Sequence, residues 1–441
     1  MFKRLSVLTV ALLIGMGNAG MAQASSDTAL AALPETWDLA TCLNYAKQHN
    51  ITIQSMRLTA ASDAQDLIQS RAARYPNLSG SAGEGLNHDQ GGFFTNTNLG
   101  LSSSMVLYQG GYLKNDIKSK DLSVQAAKLN VAAAENDVTL SITQAFLNIL
   151  LARENIIYYQ DLVATTDSQV RQGQQRFQAG VLARKDYLEL QATLASDNYS
   201  LVLANNTLRQ NTLVLKQMLQ LPTDAPFTAA VTAADSVTVK AVLTPLDEAE
   251  TIAAKNRPEV KSGELGVQIQ QTELAKVRSG LKPTLSLGGS IGTNYTKNGI
   301  NNYFPQLNQN FNQSLGLNLD VPILDRKVTR SNTEKAKIAV DQARLSLQDT
   351  KTTLAQHIEQ AYIDVENAQS QYQAASEQLQ YSEEAFRIAD QQLKIGVYDI
   401  VDYLQQKTQY VQAQQSFIQA KYTAALYQKV YNFYIGIPVT E

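Results

Sequence analysis

The residues that could build a reactive or metal-binding centre are few and far apart in this 441-residue chain. His49, His88 and His357 are widely separated and Cys42 is the only cysteine, so neither a structural zinc site nor a disulfide framework has residues to use. No Ser/His/Asp set, phosphate-binding glycine loop or zinc motif is present, and the carboxylates are scattered as solvated helix faces scatter them. The expectation is a protein that is not an enzyme and carries no cofactor and no metal. Its 37 Lys and Arg against 40 Asp and Glu give a net charge of −3, which is no electrostatic footprint for nucleic acid. The chemistry left to consider is that of carboxylates at repeated positions. Asp186 and Asp402 each stand six residues after a glycine, Gly180 and Gly396. Gathered by symmetry in a water-filled constriction, such carboxylates attract cations; singly, each complements the start of a helix.

The elements that would carry these residues begin after a leader. Lys3 and Arg4 form a positive start, Leu5 to Ala19 is an apolar run, and Ala22-Gln23-Ala24 is a small-x-small cleavage site. The expectation is a secretory signal peptide over 1–24 and a destination outside the cytoplasm. Cys42 lies well beyond the cleavage point, so lipidation is not expected. Past the leader no apolar stretch reaches about 20 residues, the length a membrane-spanning helix needs. If the mature chain crosses a membrane, it does so with strands.

An internal repeat organises the rest. A shift of 216 residues aligns Gln144-Ala145 with Gln360-Ala361, Gly180-Val181 with Gly396-Val397, and Asp186-Tyr187-Leu188 with Asp402-Tyr403-Leu404. Upstream the shift is 207, pairing Leu39 with Leu246, Ala46 with Ala253, and Pro76-Asn77-Leu78-Ser79 with Pro283-Thr284-Leu285-Ser286. The nine-residue difference falls where each copy has a Gly/Asn-rich stretch, as a variable hairpin loop would. The reading is two repeats, 25–222 and 245–441, about an equatorial linker at 223–244. Each repeat has two helices, a β-hairpin (about 75–108 and 283–323), then a long helical hairpin (about 112–221 and 325–436).

Neither Gly nor Pro occurs from Tyr112 to Gln172 or from Ile323 to Ile395. Val124, Val131, Val138, Ala145 and Ala152 keep a coiled-coil heptad there. Helices of about 60 to 70 residues would span roughly 90 to 105 Å. The return helices are shorter, so a further helix or a partner chain must cover the difference. In Leu315 to Ile323 every odd residue is apolar and every even one is small, polar or proline. With Tyr75, Phe93, Phe94, Tyr108, Tyr295, Tyr303 and Phe304 at the flanks, the pattern fits an outer-membrane barrel with interfacial aromatics. Four strands cannot close such a barrel, because the smallest has eight and open edges are forbidden in lipid. The barrel must be shared among chains.

Together, Trp37-Asp38-Leu39, Cys42-Leu43-Asn44-Tyr45-Ala46, Tyr75-Pro76-Asn77-Leu78, Tyr108-Gln109-Gly110-Gly111, Arg176-Phe177-Gln178-Ala179-Gly180-Val181 and Ile395-Gly396-Val397 resemble the TolC-like outer-membrane factor family. These are the exit ducts of tripartite efflux pumps and type I secretion systems. The resemblance implies a mainly α chain with a membrane β part: a homotrimer with a 12-stranded barrel in outer-membrane lipid and a long periplasmic α-helical barrel of coiled-coil hairpins. It implies a periplasmic adaptor contacting the tip turns at Gly180, Val181, Leu182, Gly396 and Val397, and an inner-membrane transporter as a further partner. It also implies a tip constriction, to which Asp402 and Asp186 match. Gln405 stands where the family has a second acidic residue, and Tyr398 and Leu393 stand where it has a locking arginine and tyrosine. The alternative, a secreted coiled-coil filament protein, would share the heptads and the 17 glutamines from Lys351 to Glu441, but has no use for two amphipathic hairpins.

Overall fold

The computed structural model describes residues 36–89, 92–222, 224–230, 243–296, 303–395, 397 and 399–438. The expected signal peptide, most of the expected linker, Gly396 and Tyr398 lie outside them.

Side-chain caps open the first helices. Asp38 accepts a hydrogen bond from Thr41 N at 2.7 Å at the start of α1 (Leu39–His49), and its hydrogen bonds to Thr41 hold its carboxyl below the ordinary value. Asn50 accepts from Thr52 N and Ile53 N, ending α1 and opening α2 (Ile51–Ala72). Two long antiparallel helical hairpins follow, α3 (Tyr112–Gln178) with α4 (Arg184–Leu219), and α8 (Val328–Lys394) with α9 (Ile400–Tyr434). A second short pair, α5 (Leu246–Asn256) and α6 (Pro258–Arg278), precedes α8. The helix starts repeat with the sequence: α5 and α6 begin 207 residues after α1 and α2, and α8 and α9 begin 216 after α3 and α4.

Helices α3 and α8 each have 67 residues, about 100 Å at 1.5 Å per residue. Helices α4 and α9, with 36 and 35 residues, cover about half of that length. Helices α2 and α6 pack along α3 and α8 to cover the remainder. Two equivalent cores tie these layers together. Ile142, Ile149 and Leu215 are buried in one, and their counterparts Ile358, Val365 and Tyr431 in the other. Cys42 occupies the place that Ala249 takes in the second copy, and both are fully buried. Its role is that of a small apolar packing residue.

The strands β1 (Ser79–Asp89), β2 (Gly92–Gln109), β3 (Thr284–Thr296) and β4 (Asn312–Asp320) form one antiparallel sheet in chain order. The register sets Leu101 opposite Ile291, Met105 opposite Leu287, Leu287 opposite Leu317 and Leu285 opposite Leu319, so one face is apolar. Serine pairs lie on the other face, Ser79 with Ser102 at 2.9 Å and Ser290 with Ser314 at 2.8 Å. A bulge between Val106 and Tyr108 shifts the alternation, which puts Tyr108 opposite Leu285 on the apolar side. Phe94 corrects one expectation: strand alternation groups it with Asn96 and Asn98 on the polar face and leaves Phe93 on the apolar one. The second Gly/Asn-rich stretch is not all loop either, because β3 runs to Thr296 and a short helix, α7 (Tyr303–Gln309), precedes β4. No described helix is long and apolar enough to cross a membrane.

Candidate functional site

Two places leave groups exposed or unpaired in the single chain: the tip, where the helical hairpins turn, and the two edges of the sheet.

At the tip, Gly180 takes φ +76, a left-handed conformation that reverses the chain with little steric cost. Val181 N and Leu182 N both donate to Arg176 O, closing the turn of the first hairpin. Val181 and Val397 are largely exposed, whereas Leu182 is half-buried. The Arg176 guanidinium reaches across to the second hairpin and donates to Leu393 O at 3.3 Å and Lys394 O at 2.9 Å. A cation on the last carbonyls of α8 also complements the helix dipole. Leu393 thus joins the two hairpins through its backbone carbonyl.

Asp402 and Gln405 are exposed near the start of α9, one helical turn apart, and Asp186 is half-buried in the first turn of α4. Asp399 caps α9 by accepting from Val401 N at 3.2 Å, so Asp402 is not the capping residue there. Just above, Gln169 donates to the Tyr403 hydroxyl, and Tyr403 packs near Phe386. Burial pushes the Tyr403 hydroxyl well above its ordinary pKa.

Further along the hairpins is a cluster the sequence reading passed over. Lys407 Nζ lies 2.9 Å from Asp197 Oδ2 and donates to Thr166 Oγ1 at 2.5 Å, while Thr166 Oγ1 donates to Asp197 Oδ2 at 2.6 Å. The three residues come from α9, α4 and α3, and the Lys407 side chain is only 3% exposed. Burial lowers the Lys407 pKa, and the hydrogen bond and charge of Asp197 partly offset it. The signal was available. Ile400, Tyr403 and Lys407, and Leu190, Asp197 and Ala204, keep the spacing of a buried stripe, and in each a charge interrupts it.

In the sheet, β1 and β4 are the edge strands, each paired on one side only. Their apolar side chains point the same way as those of β2 and β3, and Leu315, Leu317 and Leu319 are all exposed. Among the described residues no group of three or more His, Cys, Asp or Glu stands where it could hold a metal ion.

A family model described as Outer membrane efflux protein matches residues 42–220 and 251–428, one segment in each copy of the repeat. The outer membrane protein TolC of Vibrio cholerae is 24% identical over 318 residues, 70% of each chain. Nodulation protein T of Rhizobium leguminosarum is 22% identical over 361 residues, 78% of this chain and 70% of the relative. Among solved structures, CusC matches with a TM-score of 0.80 at 16% identity, over 91% of this chain and 92% of that one. The open-state MtrE outer membrane channel of Neisseria gonorrhoeae matches at 0.77 and 18% identity, over 90% and 89%.

Proposed function

The chain belongs to the outer membrane efflux protein family and resides in the outer membrane with a periplasmic extension, and from that premise we propose that it is the passive exit duct of a tripartite efflux pump or type I secretion system. The observation that carries this reading is the pair of unpaired strands, β1 and β4, at the edges of a sheet with one apolar face. In lipid such edges must be closed. Three copies, each joining its β4 to the next copy's β1, make a closed barrel of twelve strands, wide enough for a lumen. The serine-, glycine- and asparagine-rich face then lines the lumen. The helical hairpins continue the duct into the periplasm, built from the repeats 25–222 and 245–441 about the linker 223–244.

In this reading the tip turns, with Gly180, Val181, Leu182, Gly396 and Val397, meet a periplasmic adaptor, and an inner-membrane transporter supplies the cargo. Asp402, with Gln405 one turn on, contributes to a threefold ring near the tip, and Asp186 lies at the matching place of the first hairpin. The protein reconstituted in planar bilayers is expected to give discrete ion-conducting steps. Asp402→Asn should weaken cation preference and multivalent-cation block from the periplasmic side, and Asp186→Asn should do less. Absence of conductance from a correctly folded protein would overturn the duct. Conductance with unchanged selectivity in both variants would leave Asp402 a helix-start residue.

A further inference from the structure

We propose that α7 is a membrane-surface anchor, an aromatic segment fixed to the outside of the barrel and seated where the acyl chains of the outer leaflet meet its headgroups. This rests on the barrel reading above.

The need for such a segment is visible in the register. Strand β4 pairs with β3 only as far as Gly292 opposite Asn312, whereas β3 stays paired with β2 up to Thr296. The last residues of β3 therefore have no β4 neighbour. Helix α7 and the residue after it fill that place with side chains. Gln306 Oε1 accepts from Thr296 N at 2.8 Å, Asn310 Nδ2 donates to Asn294 O at 2.7 Å, and Thr293 Oγ1 donates to Leu307 O at 2.5 Å. Open backbone groups are not tolerated at membrane depth, and here amides stand in for the missing strand.

The side on which α7 sits follows from strand alternation. Thr293 and Tyr295 share the face of Leu285, Leu287 and Ile291, which is the apolar face of the sheet. The Tyr295 ring lies 4.5 Å from that of Tyr303, and Tyr303 lies 5.5 Å from Phe304. The helix is thus held from the lipid side. Its occupant is set by continuity and by charge. Phe304 and Phe311 are 78% and 56% exposed, and the exposed row Leu315, Leu317, Leu319 begins four residues after Phe311. From Tyr303 to Leu319 there is no Lys, Arg, Asp or Glu. An uncharged aromatic segment at the rim of an apolar band matches the acyl–headgroup boundary, where aromatic rings collect. A protein partner recognised by charge would find nothing here.

Tryptophan probes test this in the full-length trimer, reconstituted in phosphatidylcholine vesicles whose acyl chains are brominated either near the headgroup or deep in the bilayer. The native Trp37 is buried against Phe227 and serves as a constant background. Phe304→Trp should lose roughly half its added emission with shallow bromines and less with deep ones, as expected for a ring at the interface. Leu317→Trp, in the apolar band, should show the opposite depth dependence. Quenching of Leu317→Trp without quenching of Phe304→Trp would place α7 in water and overturn the anchor alone. Quenching of Phe304→Trp chiefly by deep bromines would also overturn it. Failure of both probes to quench would remove the barrel and the anchor together.

Discussion

Lys407 and Asp197 show how one charge in a buried stripe joins elements distant in sequence. Thr166, Asp197 and Lys407 tie α3, α4 and α9 together, and both charges are largely withdrawn from water. Removing one partner of a buried pair leaves the other uncompensated, whereas replacing both with apolar groups can be neutral or better. Lys407→Ala is therefore expected to destabilise the protein by about 3 to 5 kcal/mol, and Lys407→Met combined with Asp197→Leu to recover most of that. The temperature at which the detergent-solubilised oligomer dissociates reads both, and an equal loss in single and double variants would contradict the pairing. The sequence carried this cluster as a broken heptad stripe, but the partner identities were not in it, since residues 166, 197 and 407 meet only after two hairpins have folded. Asp402 and Asp186 are the opposite case. Their positions were legible from the duplication, while in the proposed duct what they face depends on neighbouring copies of the chain.

The helices and strands were the most legible part, for physical reasons. Runs free of Gly and Pro with heptad spacing leave the backbone one regular option, and they supply most of α3 and all of α8, each of 67 residues, α3 continuing past its run through Gly173 to Gln178. Strict alternation in Leu315 to Leu319 likewise fixed the lipid face of β4, while Phe93 and Phe94, adjacent aromatics, gave no such guide. Helix α7 stayed hidden because its Asn- and Gln-rich sequence reads as loop until its amides are seen on the β3 edge. The turn into each long helix was half-legible. Gly110 and Gly111 take positive φ before α3, and the same conformation recurs before α8 at Arg326 and Lys327, with φ 52 and 67, where side chains would discourage it. Helices α2, α3 and α6 are joined by a polar seam in which Asp116 accepts from Ser70 and lies 3.2 Å from Lys276. Burial pushes the Asp116 carboxyl up, but the hydrogen bonds from Ser70 and Lys276 and the lysine charges outweigh it, and the net shift is downward. A depressed native pKa stabilises the fold above the ordinary value of 3.8 and loses that contribution as pH falls below it. Asp116→Asn should cost about 1 to 2 kcal/mol near neutral pH. The difference from the parent should close as pH falls through that acid window, as followed by oligomer dissociation at each pH. A difference that stays constant with pH would mean the seam acts through packing.

At the scale of the whole molecule, the duplication and the sheet edges set the assembly. One chain brings two long hairpins and four strands, and its two edge strands lie on a sheet whose outward side chains suit lipid. A soluble filament would need no such face. The sequence alone led to a shared barrel by counting strands, and the register adds that β1 and β4 are the edges to be joined. The number of copies is the point on which the duct, the lumen and the tip ring all depend. The most direct measurement is the protein mass of the detergent-solubilised, folded protein by light scattering corrected for bound detergent. Three times the mass of the mature chain is the predicted result. A monomeric mass, with the mixed helical and strand circular dichroism retained, would contradict it.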